Sequence, residues 1–189
     1  VRRPCLVVLL ALLAAPFGPA RAEEGRPLDP GGWRRQGKEP VAVSFPHRAW
    51  AVTVELEGFQ VDGPDVLPDG RLVSLVGEDP ASGVVASVTL WDAGGHRSAE
   101  ACADADWRRI TMMAAGVAGV RRSAEGGRAR AWYLVPSIDG KRVDQQNLSG
   151  WWYRDGVCIH VHASLMGFTP AGAPRLERVL ASVRFEEPL

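Results

Sequence analysis

Hydrophobic and polar positions along this chain change period several times, and each change predicts an element. From Trp50 to Leu56 the alternation is strict: Trp50, Val52, Val54 and Leu56 face one way, Ala51, Thr53 and Glu55 the other. A period of two is that of a half-buried strand. Asp62-Gly63-Pro64 and Pro68-Asp69-Gly70 read as turns in the following loop. Strands are predicted over 71–76 and 84–91, joined by Glu78–Gly83, and over 128–135, ending at Pro136. Between them, 98–115 takes a helical period. Plotted at 100° per residue, Cys102, Met113, Ala99, Ile110, Ala103, Ala114 and Trp107 fall within one arc of about 140°. Ser98 suits the N-cap and Gly116 the stop. Cys102 lies at the edge of the face that meets the sheet, and Asp106 alone intrudes on the apolar arc.

The best-specified unit is a hairpin. Segments 148–154 and 157–163 flank Asp155-Gly156, a pair typical of two-residue turns. That loop sets Tyr153 opposite Cys158, Trp152 opposite Ile159 and Trp151 opposite His160. One face carries Trp151, Tyr153, Cys158, His160 and His162. The other carries Leu148, Trp152, Val157, Ile159 and Val161. Large groups on both faces imply cover on both sides. A last helix over about 170–183 presents Leu176, Val179, Leu180 and Val183 at i, i+3, i+4, i+7. The expected fold is α+β: a mainly antiparallel sheet of five to six strands flanked by helices.

The N-terminus bears on compartment. Val1-Arg2-Arg3 gives a positive start, 5–15 an apolar run, and Ala20-Arg21-Ala22 a small-residue cleavage site. That order is a secretory signal peptide over 1–22, too short in its apolar run to span a bilayer. Cys5 precedes the apolar run, away from the cleavage point, which argues against a lipid-modified cysteine. Val1 reads as a GTG start in a bacterial gene. The expected location is exported, periplasmic or extracellular, with 23–40 as a Gly- and Pro-rich leader and 41–189 as one α+β domain.

Charge and cysteines then narrow the functional classes. The chain has 22 basic and 22 acidic side chains. Loss of Arg2, Arg3 and Arg21 with the signal leaves 19 against 22, near −3, which argues against nucleic acid as a partner. No second apolar segment approaches membrane-spanning length. Cys102 and Cys158 survive processing, and an even pair in an exported chain reads first as a disulfide. Free buried thiols and a metal site remain the alternatives.

The tail half carries a resemblance. Tyr133-Leu134-Val135-Pro136, Asp144-Gln145-Gln146-Asn147, the run Asp155–Ser164 and Phe168-Thr169-Pro170 before the Leu/Val helix resemble a group of uncharacterised exported bacterial proteins. These look like distant relatives of the PsbP-like superfamily, which includes PsbP of photosystem II, the Ran-binding Mog protein and periplasmic DcrB. The resemblance implies an antiparallel sheet flanked by helices and a non-catalytic protein on which partners dock. No functional residue of those relatives carries over to a position here.

The chemical candidates are few. Thiolate and imidazole suit zinc or copper, so Cys158-x-His160-x-His162 is the strongest motif. Alternate strand residues are about 6.6 Å apart, so His160 and His162 could share one ion, while Cys158 and His162, about 13 Å apart, could not. The plainer reading is a disulfide with two hydrogen-bonded histidines. Asp106 is expected to pair with a histidine or arginine of the sheet. Asp104 and Asp106 point apart on a helix, and Asp62, Asp65 and Asp69 lack the ligand ladder of a calcium loop. Ser164 follows His162 on one strand face, a poor approach for a base and nucleophile, and no G-x-S-x-G, H-E-x-x-H, P-loop or C-x-x-C occurs. Trp151 and Trp152 read first as core by alternation, and Trp151 with Tyr153 forms a candidate partner surface. The reading is an exported accessory or binding protein without catalysis, whose protein partner lies in the periplasm or envelope. A metal-handling protein using His160 and His162 is the alternative.

Overall fold

The computed structural model describes residues 35–36, 40–113, 116–138, 140–167 and 169–187. The signal segment 1–22 and most of the leader 23–40 lie outside the described residues. Among those described, eleven strands form two antiparallel sheets. The strands are β1 (Arg35–Gln36), β2 (Val41–Ser44), β3 (Ala51–Val54), β4 (Gln60–Val66), β5 (Leu72–Asp79), β6 (Val84–Asp92), β7 (Ala118–Glu125), β8 (Arg128–Ile138), β9 (Lys141–Arg154), β10 (Val157–Leu165) and β11 (Arg184–Glu186). Helix α1 (Ala99–Met113) lies between β6 and β7, and α2 (Ala173–Ala181) follows a 3-10 turn at Pro170–Gly172.

The large sheet runs β1-β4-β5-β6-β10-β9-β8-β7 and the small one β11-β3-β2. The α+β class and antiparallel sheets stand, but five to six strands was too few. Among the missed strands, β2, β4, β7 and β11 share a cause: their inward faces are short or absent. All eight residues of β7 are exposed, so no alternation marks it. In β4, the Asp62-Gly63-Pro64 signal sits at a bulge between Asp62 and Asp65, where a proline is tolerated within a strand. Pro136 likewise sits at a register shift inside β8 and does not end it.

Chemistry at the β9–β10 turn explains the hairpin. Asp155 and Gly156 have φ of 48° and 80°, the left-handed pair of a type I′ turn. The register is the one the two-residue loop predicts, with Cys158 opposite Tyr153 and His160 opposite Trp151. Trp50 donates Nε1–H to Asp155 at 2.9 Å, and Arg154 lies over both Trp50 and Phe185. The turn is thereby tied to the small sheet.

Each face of the large sheet has its own cover. One meets the small sheet and α2 through Val43, Val52, Leu75, Leu90, Ile159, Leu176 and Leu180. Gly150 is required at this contact. A Cβ there would stand 2.8 Å from the Trp152 ring and 2.9 Å from Leu180. The opposite face meets α1, through Ala99, Ala103 and Ile110 against Ala131, Tyr133 and Trp151. Ser98 caps α1 as expected, its Oγ accepting the Ala101 N–H at 3.2 Å.

Candidate functional site

The α1 face of the sheet collects nearly all the buried polar chemistry. Its geometry follows from one covalent link. Cys102 and Cys158 are bonded, with Cα atoms 5.7 Å apart, and both are fully buried. Asp106 lies one helical turn beyond Cys102, about 6 Å along α1. His160 lies two residues beyond Cys158 on the same face, about 6.6 Å along β10. The matched spacings, starting from a common pin, set Asp106 over His160.

The contacts are close. Asp106 Oδ2 meets His160 Nδ1 at 2.9 Å and accepts the Trp151 indole N–H at 2.9 Å. Asp106 Oδ1 accepts from Arg109 Nη2 at 2.5 Å. The other imidazole nitrogen, Nε2, is 3.0 Å from Ser149 Oγ, and the Trp151 ring stacks on His160 at 4.8 Å. His162 Nε2 lies 2.9 Å from Asn147 Oδ1. Asn147 Nδ2 donates to the Gln145 carbonyl, which fixes Oδ1 as an acceptor, so His162 carries its proton on Nε2.

Burial acts on these groups in opposite directions. For Asp106 burial favours the neutral acid, but the His160 charge and hydrogen bond, Arg109 and the Trp151 N–H outweigh it and hold the carboxyl well below the ordinary range. For His162 burial lowers the pKa to about 3, the His160 charge adds to that, and Asp106 opposes it. Burial raises the Tyr133 hydroxyl well above its ordinary range, with a Ser149 hydrogen bond opposing and the Asp106 charge adding.

The His162 shift makes a pH prediction. Its folded pKa lies below the ordinary 6.5, so between about 3 and 6.5 the unfolded chain binds the extra proton. Stability is therefore complete above pH 6.5 and falls as pH drops through that window. Urea midpoints at pH 7.5 and pH 5 should differ, and His162→Gln should shrink the difference. Equal differences in the two proteins would refute the assignment.

Asp106, His160 and Ser149 follow the order and hydrogen-bond pattern of a catalytic triad. The placement of the serine is wrong for one. Ser149 sits mid-strand with no exposed surface, and His160 and Asp106 are 8% and 4% exposed. A cleft of about 490 Å³ opens beside the network, lined by Arg71, Thr89, Trp91, His96, Asp106 and Arg109. It reaches the carboxylate but is lined by neither His160 nor Ser149. The arrangement can hold a helix in register on a sheet, and it offers an acyl group no approach to the hydroxyl.

The predicted site residues fall as follows. Cys102 and Cys158 come together as a disulfide. His160 and His162 are neighbours, with ring centroids 5.9 Å apart, yet both nitrogens of His160 and Nε2 of His162 are committed to protein hydrogen bonds. An ion shared by the pair would have to break them. Trp151 is not a surface residue: it is fully buried, because α1 covers the face that the hairpin presents. Tyr153 is half-buried and packs on the disulfide. Trp151 therefore offers a partner no surface, and Tyr153 keeps only part of its ring exposed. Asp62 and Asp69 cap the adjacent backbone N–H groups of Gly63 and Arg71, as turn chemistry requires. Asp106 finds its histidine, but its arginine comes from its own helix. Ser149, Asn147 and Arg109 were missed. The signal was present: Asn147, Ser149 and Trp151 alternate on the histidine face of a strand whose other face is apolar.

No protein-family model and no curated protein matches the chain. Among solved structures, the chain is similar to cyanobacterial PsbP (CyanoP) from Synechocystis sp. PCC 6803, with a TM-score of 0.50 and 14% identity over 79% of this chain and 92% of that one. The fold is PsbP-like. At that identity the likeness extends to architecture only, and the buried Asp106–His160–Ser149 chain stands on its own as a feature of this PsbP-like sheet.

Proposed function

We propose that this protein is an exported, non-catalytic accessory protein of the cell envelope that acts by binding a protein partner. The observation that carries the reading is the burial of Ser149: the hydroxyl held by the Asp106–His160 pair lies inside the sheet, where it serves packing. The PsbP-like fold supports it, as does a signal-type sequence at 1–22. A disulfide fits an oxidising compartment.

The test is direct. The purified chain is treated with a fluorophosphonate probe and its metal content is measured, and the envelope fraction is crosslinked and searched for a stoichiometric partner. The expected result is no Ser149 labelling, no bound metal and one specific partner that survives washing. Labelling that disappears in Ser149→Ala would replace the reading with a hydrolase. Stoichiometric zinc or copper that disappears in His160→Ala would replace it with metal handling.

A further inference from the structure

We infer that the exposed edge strand β7 is a self-complementary surface that pairs with a second copy of this chain. Among the described residues, β7 ends the large sheet and is hydrogen-bonded to β8 alone. Its outer backbone groups are therefore unpaired, in a strand with every residue exposed. Such an edge accepts another strand unless something blocks it. At its start β7 is blunted by a bulge between Ala118 and Arg121, where Gly119 has a φ of 60°. From Arg121 to Glu125 the register against β8 is unbroken. The run contains no proline, and Gly126-Gly127 follow it.

Those five residues, Arg121-Arg122-Ser123-Ala124-Glu125, are complementary to themselves when reversed. In an antiparallel pairing centred on Ser123, Arg121 of each copy lies opposite Glu125 of the other, Arg122 opposite Ala124, and Ser123 opposite itself. All five residues pair, and the two cross-strand ion pairs are of opposite sign. Centring on Arg121 or Arg122 would instead oppose like charges.

The charges already used and those left over match this pairing. Arg122 is held on the α1 side, with Asp104 at 2.5 Å and its guanidinium 5.7 Å over Trp107. It needs nothing from a neighbour, and small Ala124 is what it would meet. Arg121 lies on the other face, over Trp132 at 5.9 Å. Among the described residues, neither Arg121 nor Glu125 makes an ion pair. They are the two groups that the second copy would join. The assembly is a closed two-fold dimer in which two eight-stranded sheets become continuous. Five paired residues bury far less than the roughly 1,200 Å² of a stable interface, so the dimer is weak and concentration-dependent.

Sedimentation equilibrium of the purified full chain over a wide concentration range tests this. Monomer–dimer exchange is expected. Arg121→Glu and Glu125→Arg should each weaken it by about tenfold, and the double exchange should restore it. Ser123→Cys should crosslink two chains on oxidation while Ala124→Cys does not, because only residue 123 lies on the axis. A monomer at every concentration would overturn the inference. So would a double exchange no tighter than the single variants, or a dimer indifferent to both. All four substitution sites are exposed, so these outcomes do not depend on whether the core survives. They are also independent of catalysis and of any envelope partner.

Discussion

Asp106→Ala is expected to lower the stability of the folded chain by about 3–5 kcal/mol, the range for removing one partner of a buried charge pair. The carboxylate accepts from His160, Trp151 and Arg109 at once. Its loss leaves three donors without an acceptor in a region where two of them, His160 and Trp151, are buried. Asp106→Asn retains the shape and one acceptor oxygen, and should lose about 1–3 kcal/mol. Urea denaturation at pH 7.5 measures both. An alanine variant within about 1 kcal/mol of the parent would show that the network carries no such weight. The pH dependence separates Asp106 from His162. A carboxyl held below its ordinary 3.8 contributes fully above about pH 4 and loses that contribution only in stronger acid. Between pH 6.5 and about 5 the histidine's contribution falls while the carboxyl's is still intact.

The second large effect is expected from the disulfide. Cys102 and Cys158 are separated by 56 positions, and closing a loop of that length restricts the unfolded chain by about 4 kcal/mol in the chain-entropy account. Cys102→Ala with Cys158→Ala should lower stability by about 2–4 kcal/mol. Because both sulfurs are buried, the double variant is a better probe than a reductant added to folded protein. A double variant with an unchanged urea midpoint would refute this. The effects should also couple. The disulfide is the pin from which Asp106 reaches His160, so Asp106→Ala in the cysteine-free chain should cost less than in the parent.

The sequence revealed the hairpin and hid the edges, for physical reasons. Asp155-Gly156 is local turn chemistry, and its two residues fix the register of everything on β9 and β10. The helix over 98–115 showed its cap, its apolar arc and the one carboxylate out of place, which was enough to anticipate a buried partner for Asp106. Strand β7 has no buried face, so nothing in its pattern distinguishes it from a loop until β8 is seen beside it. Strand β4 carries turn residues at its bulge. Trp151 reads first as core by alternation and is fully buried; its alternative place on a partner surface fails because alternation assigns a face without saying that α1 covers it. The triad-like order of Asp106, His160 and Ser149 needed the α1–β10 contact, which no single-strand pattern contains.

Strand β10 sits in the interior of the large sheet, between β6 and β9, yet it is the last long strand in the chain. Its pairing with β6 joins residues 84–92 to 157–165, across the whole excursion that contains α1, β7, β8 and β9. A nascent chain appearing N-terminus first therefore holds two unmatched halves of a sheet until residue 165 has emerged. Non-local closure of this kind is slow, and the waiting halves expose strand edges. A chain that stops just before β10 lacks the middle of the sheet and not its margin, so its two halves have no shared strand to join them.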